Sequence, residues 1–150
     1  MALLTKKFDV LYGWPKEGAI DYSFTVAGSA TRASGDVVML DTSGQIVVAA
    51  TNTTAKPVFV VVEGNDDFSG QFTDKAVCLR SNCVVRVENY VTAGAPGTFD
   101  EGTLVTYENS TGKWAAAQTG EQVIGEVWKD ERSANGTLVI YFHGGLTLKV

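Results

Sequence analysis

One histidine, two cysteines, two methionines and three prolines in 150 residues leave little material for several kinds of chemistry. A structural metal site wants four ligands, and Cys78 and Cys83 with the lone His143 do not complete such a set. A hydrolytic triad needs a nucleophile, a base and an orienting acid. His143 stands at the end of an apolar run beside Gly144-Gly145, where a structural role is expected. There is no G-x-S-x-G elbow, no P-loop, and no G-x-G-x-x-G after a strand. The expectation is a protein that is not an enzyme, with no cofactor and no bound metal. The cysteines, spaced Cys-x4-Cys, read as two ordinary strand residues that stay thiols in a reducing compartment. If oxidised, the pair would close a small hairpin loop.

Positive charge is also short, with 12 basic residues against 17 acidic ones and a net charge of -5. Holding a phosphate backbone takes a Lys/Arg surplus on one face, so no nucleic-acid partner is expected. No apolar run approaches the ~18 residues of a membrane helix, and no membrane association is expected. Met1-Ala2-Leu3-Leu4 runs directly into Lys6, Lys7 and Asp9, leaving no apolar core for a secretory signal. Synthesis in a cytoplasm follows as the expectation. The sequons at Asn52, Asn109 and Asn135 then read as polar turns rather than glycan sites.

What is present is a β pattern. An apolar fraction of 45% and a charged fraction of 19% are those of a globular chain. A chain of this size buries roughly 70% of its unfolded surface without a disulfide or metal. Cys83, Val85, Val87 and Val91 alternate with Val84, Arg86, Glu88 and Tyr90, and Leu138, Ile140 and Phe142 alternate with Val139, Tyr141 and His143. That is strand periodicity. Val37 to Leu40 and Val58 to Val62 are continuously apolar, as in strands buried on both faces. No long amphipathic helix is seen, although Ala115 to Ala117 would suit the start of a short one. Turn formers at Asp41-Thr42-Ser43-Gly44, Glu108 to Gly112 and Asn135-Gly136 separate the runs. The predicted fold is all-β, a small antiparallel β-barrel or sandwich with an N-terminal extended arm.

Two stretches share a faint pattern of strand, Gly-containing turn, strand, Thr-containing loop, strand. The first runs through Gly35-Asp36-Val37-Val38, Gly44 to Ala49 and Val58 to Glu63. The second runs through Gly102-Thr103-Leu104-Val105, Gly112 to Ala117 and Val123 to Val127. Two such units would wrap one core as a small barrel. Residues 1–33 differ: Phe8, Tyr12, Trp14, Tyr22 and Phe24 occur without clean alternation. The predicted organisation is 1–33 as an arm or a cover segment and 34–150 as the β-barrel domain. These five aromatics are the candidate partner-binding residues, because exposed aromatics carry interface energy. Their packing onto their own barrel is the other reading.

Glu63 to Ala76 reads as an exposed polar loop. Asn65-Asp66-Asp67-Phe68-Ser69-Gly70 matches the opening of a calcium loop, but Ala76 stands where a bidentate Glu is required. Asp100-Glu101 reads as a solvated turn. Trp14, Trp114 and Trp128 offer a sugar-stacking platform on one reading, and core or interface packing on the default one.

The stretch Ala33 to Gly144 resembles the small head-decoration (cement) proteins of tailed bacteriophages. The residues that carry the resemblance begin with Gly35-Asp36-Val37-Val38, the Gly44 turn and Ala49-Ala50. They continue with Phe99 to Val105, Gly112-Lys113-Trp114, Ile124 to Val127 and Ala134 to Ile140. The resemblance implies a structural virion protein that binds the outside of a capsid and stabilises it. It further implies the major capsid protein as partner, a homo-oligomer with a trimer favoured, and a location on the capsid exterior. Another minor head or tail component, or a carbohydrate- or small-ligand-binding β module, are the alternative functions. A concave patch with Trp114, Trp128 or Tyr141 exposed would favour the ligand-binding module.

Overall fold

Short runs of β-branched residues, each closed by a turn former, set the secondary structure. The computed structural model describes residues 8–12, 21–28, 30–64, 75–80, 82–91 and 99–150. In chain order the strands are β1 (Asp9–Tyr12), β2 (Asp21–Thr25), β3 (Val37–Leu40), β4 (Ile46–Val48), β5 (Phe59–Glu63) and β6 (Lys75–Leu79). There follow β7 (Cys83–Val87), β8 (Leu104–Tyr107), β9 (Trp114–Ala116), β10 (Gln122–Glu131) and β11 (Thr137–Leu148). A single helical turn, α1 (Arg132–Asn135), links the last two and ends at Gly136 in the left-handed conformation. The Asp41 carboxylate closes the β3–β4 turn by accepting from the Ser43 and Gln45 amides at 2.8 and 2.9 Å.

The strands form two antiparallel sheets, ordered β2-β6-β5-β3-β4 and β1-β7-β11-β10-β8-β9. The fold is all-β, and it is a sandwich. The two units expected to wrap one barrel lie in opposite sheets instead. Ala115 and Ala116 belong to β9, not to a helix, because alternation against Thr106 and Val105 fixes them in the ladder. Lys75 and Ala76 are not loop either. They open β6, where Ala76 is buried. From the first 33 residues, β1 pairs with β7 at the edge of one sheet and β2 with β6 at the edge of the other.

The faint repeat becomes explicit in the topology and is longer than the sequence suggested. Number the strands β2 to β6 and β7 to β11 separately from one to five. Both sets then run one-five-four-two-three across their sheets. The hydrogen bonds repeat as well. Gly35 N–H donates to Val61 O and Gly102 N–H to Val127 O, each at 2.7 Å. The return bonds run from Val61 N to Asp36 O and from Val127 N to Thr103 O. After the first strand of each set, a parallel bridge reaches the third: Val26 to Ile46, and Tyr90 to Trp114. The chain is therefore two copies of one five-stranded module, with β1 added to the second.

The main core lies between the sheets. Val37, Val60 and Leu79 from the first meet Val85, Val105, Tyr107, Trp114, Ile140 and Phe142 from the second. A smaller cluster of Val26, Val38, Ile46, Phe59, Val61, Ala76 and Cys78 fills the other face of the first sheet. Strand runs Val37 to Leu40 and Val58 to Val62 read as apolar on both faces because both faces are buried. The alternation read for residues 83–91 holds only to Val87, where β7 ends. Beyond it, Tyr90 turns to pack on the core.

Polar groups inside are tied down. Gln122 Nε2 donates to Lys56 O and Gly145 O, both at 2.8 Å, and its Oε1 accepts from Lys56 N at 3.2 Å. Asn52 Nδ2 donates to Tyr107 O at 3.0 Å, which removes this sequon from any modification of the folded chain. One exception is Thr106, whose buried hydroxyl has no partner among the described residues. Burying a hydroxyl unbonded costs about 1–3 kcal/mol, and Val has nearly the same shape. Thr106→Val is therefore expected to stabilise the fold by about 1 kcal/mol, seen as a higher urea midpoint at unchanged slope.

Candidate functional site

On β11 the alternation sends Leu138, Ile140 and Phe142 into the core and Val139, Tyr141 and His143 to the outer face of the six-stranded sheet. Tyr141 is paired across from Val84 on β7 and from Glu126 on β10. Farther along β10 the register slips: Val127 faces Ile140, but Lys129 faces Val139. Trp128 is the extra residue of this β-bulge, a device that re-aims a side chain. It is 53% exposed. Its ring lies 6.0 Å from that of Tyr141, tilted by 30°, and Tyr141 lies 6.0 Å from the His143 ring. Trp128, Tyr141, Asn82, Val84 and Cys83 line a shallow cleft of about 390 Å³. Its floor is nearly sealed, since Val84 and Cys83 are buried.

Beside the cleft lies an ionic cluster. Arg86 holds Glu131 through two bonds, Nε to Oε2 at 2.9 Å and Nη2 to Oε1 at 3.2 Å. Asp9 stands 3.6 Å from the same guanidinium, and Thr137 donates to Glu131 at 2.8 Å. The Arg86 hydrogen bonds keep the Glu131 carboxyl below its ordinary range. This cluster joins β1, β7, β10 and β11 as a staple.

His143 ties down the turn that follows it. Its Nδ1 accepts the Gly145 amide at 2.9 Å, which leaves the ring proton on Nε2. A Cβ at Gly145 would lie 2.7 Å from both the imidazole and Val123 O, so the turn requires glycine. Burial lowers the His143 pKa below 6.5, and nearby Glu126 raises it by less. The unfolded chain therefore binds this proton more readily than the folded one. The stability contribution is complete above pH 6.5 and is lost as pH falls through 6.5 toward the lower folded value. Urea unfolding at pH 7.5 and pH 5 is expected to show a drop that shrinks in His143→Gln.

The other sequence candidates fall in several places. Trp114 is wholly buried in the core, so it takes no part in a surface platform with Trp128. Phe8 is partly buried and packs on the main core. Tyr12 lies in β1, and Tyr22 and Phe24 lie in β2. Trp14 and the calcium-like segment 65–70 lie outside the described residues. Cys78 and Cys83 are buried thiols on β6 and β7, each pushed up to about 12 by burial. No cluster of three or more metal-ligating side chains occurs among the described residues. Among the same residues, no helix is long and apolar enough to cross a membrane. Asp100 and Glu101 are exposed at a turn, as read. The bulge at Trp128 and the roles of Asn82 and Val84 escaped the sequence, because nothing in Val127-Trp128-Lys129 marks a slip of register.

A second exposed apolar feature lies at the end of β11. β7 stops pairing at Phe142, so the last residues of β11 leave one backbone edge untaken by it. Lys149 exchanges bonds with Glu121 O and Gly120 N, so Leu148 and Val150 direct their amides the other way. Leu146 is 52% exposed, Leu148 42%, and Val150 fully, a stripe of period two. Comparison with protein-family models, with curated proteins and with solved structures finds no match to this chain.

Proposed function

We propose that this chain is a structural virion protein that binds the outside of a tailed-phage capsid as a homo-oligomer and stabilises it. The observation that carries the reading is the stripe Leu146, Leu148 and Val150 at the end of β11, on an edge that β7 does not pair with among the described residues. A strand edge beside alternating exposed apolar side chains suits strand addition or a packed subunit contact. The duplicated module gives further support, because Gly35-Asp36 and Gly102-Thr103, which carry the resemblance, are the residues whose hydrogen bonds repeat. A rigid two-module sandwich presents such a contact with little entropy to lose, and many weak copies on one shell add through multivalency.

The test is co-sedimentation with expanded capsid shells of the virus that encodes the chain. Wild-type protein is expected to pellet with the shells and to raise their disruption temperature. The double variant Leu146→Ser, Leu148→Ser, altered only at exposed positions, is expected to bind at least tenfold more weakly. Wild-type protein that stays in the supernatant at every concentration would end this reading.

A further inference from the structure

Exposing an indole costs burial energy that the core does not need, and the Trp128 bulge places it beside a second ring over a sealed apolar floor. The lining is mostly apolar, and polar groups stand at its edge, with the Arg86–Glu131 ion pair beside the cleft. Asn82 offers an exposed amide, Tyr141 a phenol, and His143 an Nε2 proton, while Glu126 provides a single exposed carboxylate across from Tyr141. An apolar side chain would match the lining but would return no hydrogen bond to the edge groups that it covered, an unfavourable exchange. A ligand with one flat apolar face and a rim of hydroxyls satisfies both parts. A pyranose has that shape: axial C–H groups lie against aromatic rings, and equatorial hydroxyls reach sideways to amide, carboxylate and imidazole. A cleft of about 390 Å³ is at the small end for ligand sites and suits one or two rings.

We infer that the Trp128–Tyr141 cleft is a binding site for a neutral saccharide, with the two aromatic rings as the stacking platform and Asn82 and Glu126 as hydroxyl partners. The site uses none of the apolar stripe at Leu146, Leu148 and Val150, so it stands or falls separately from the capsid contact. Open single-sided clefts of this kind bind weakly, and attachment then depends on many copies acting together.

The experiment titrates the full chain with soluble neutral oligosaccharides: gluco-, galacto-, manno- and N-acetylglucosamine oligomers of four to six units. It follows the indole and His143 ring signals by NMR. At least one series is expected to move the Trp128 Nε1 and His143 signals with a saturating, millimolar or tighter response. Trp128→Ala is expected to weaken that response at least tenfold, and Glu126→Gln several-fold, with thermal unfolding nearly unchanged because both positions are exposed. Should Trp128→Ala lower the unfolding temperature, Trp128→Phe at retained stability is expected to keep part of the affinity. No shift at Trp128 with any of the four series at 50 mM, or binding that Trp128→Ala leaves intact, would overturn the assignment.

Discussion

Trp114→Ala is expected to lower folding stability by about 4 kcal/mol, within the range for truncating a large buried aromatic. The indole is wholly buried and meets Phe142 edge to face at 6.0 Å. Its Nε1 donates to Gly35 O at 2.9 Å, across the two sheets. Ala would leave a cavity in the main core, which neighbours from two sheets cannot collapse into without breaking their ladders. Trp114→Phe separates the terms. It retains most of the volume, and Gly35 O keeps the Asn89 Nδ2 donor at 3.0 Å, so a loss of only about 1–2 kcal/mol is expected. Urea denaturation followed by far-UV circular dichroism measures both. A loss below about 1.5 kcal/mol for Trp114→Ala would mean that this indole does not hold the modules together.

Gly125→Ala is expected to be the most damaging Gly→Ala substitution among the described residues, leaving little soluble folded protein. Gly125 is paired with Phe142 on one side and Val105 on the other, in the middle of the six-stranded sheet. A Cβ there would fall on the carbonyl oxygen of Tyr141, with Ile140 Cγ2 at 3.3 Å behind it. The obstacle is backbone, and β11 cannot retreat because its other edge is held by β7 from Leu138 to Phe142. Relief requires parting β10 from β11, so a loss of at least about 4 kcal/mol is expected, beyond the usual range for a point substitution. Soluble yield and the dispersion of amide NMR signals give the answer. A well-dispersed spectrum with near-normal stability would show that the β10–β11 pairing is looser than described.

Period-two patterning was enough to read the strand class, because Arg86 on β7 and Tyr141 and His143 on β11 break the apolar run on the outer face. It placed Leu138, Ile140 and Phe142 inward, and it found the buried runs in β3 and β5. It did not decide between barrel and sandwich. That choice depends on which strands neighbour one another, and alternation is the same in either case. The repeat was faint in sequence because equivalent strands face different surroundings. Val60 packs against the second sheet, whereas its counterpart Glu126 meets water. The conserved part of the module is its backbone bonding, which many residue types satisfy. The candidate site was half legible. Trp128 and Tyr141 stood out as aromatics in strands, but only the pairing of β10 with β11 shows that the two share the outer face while Trp114 is sealed inside. The candidate anchors Phe8, Tyr12, Trp14, Tyr22 and Phe24 shared no period, and sequence alone could not separate a packed ring from a presented one. For Phe8 the ring packs on the core.

The central claim is that the chain works by assembling through its own surface, and native mass tests it most directly. Light scattering on purified protein at micromolar concentration is expected to give three times the 16.0 kDa chain mass, and the Leu146→Ser, Leu148→Ser variant is expected to fall to one. A wild-type protein that remains a monomer across the whole concentration range would contradict the claim.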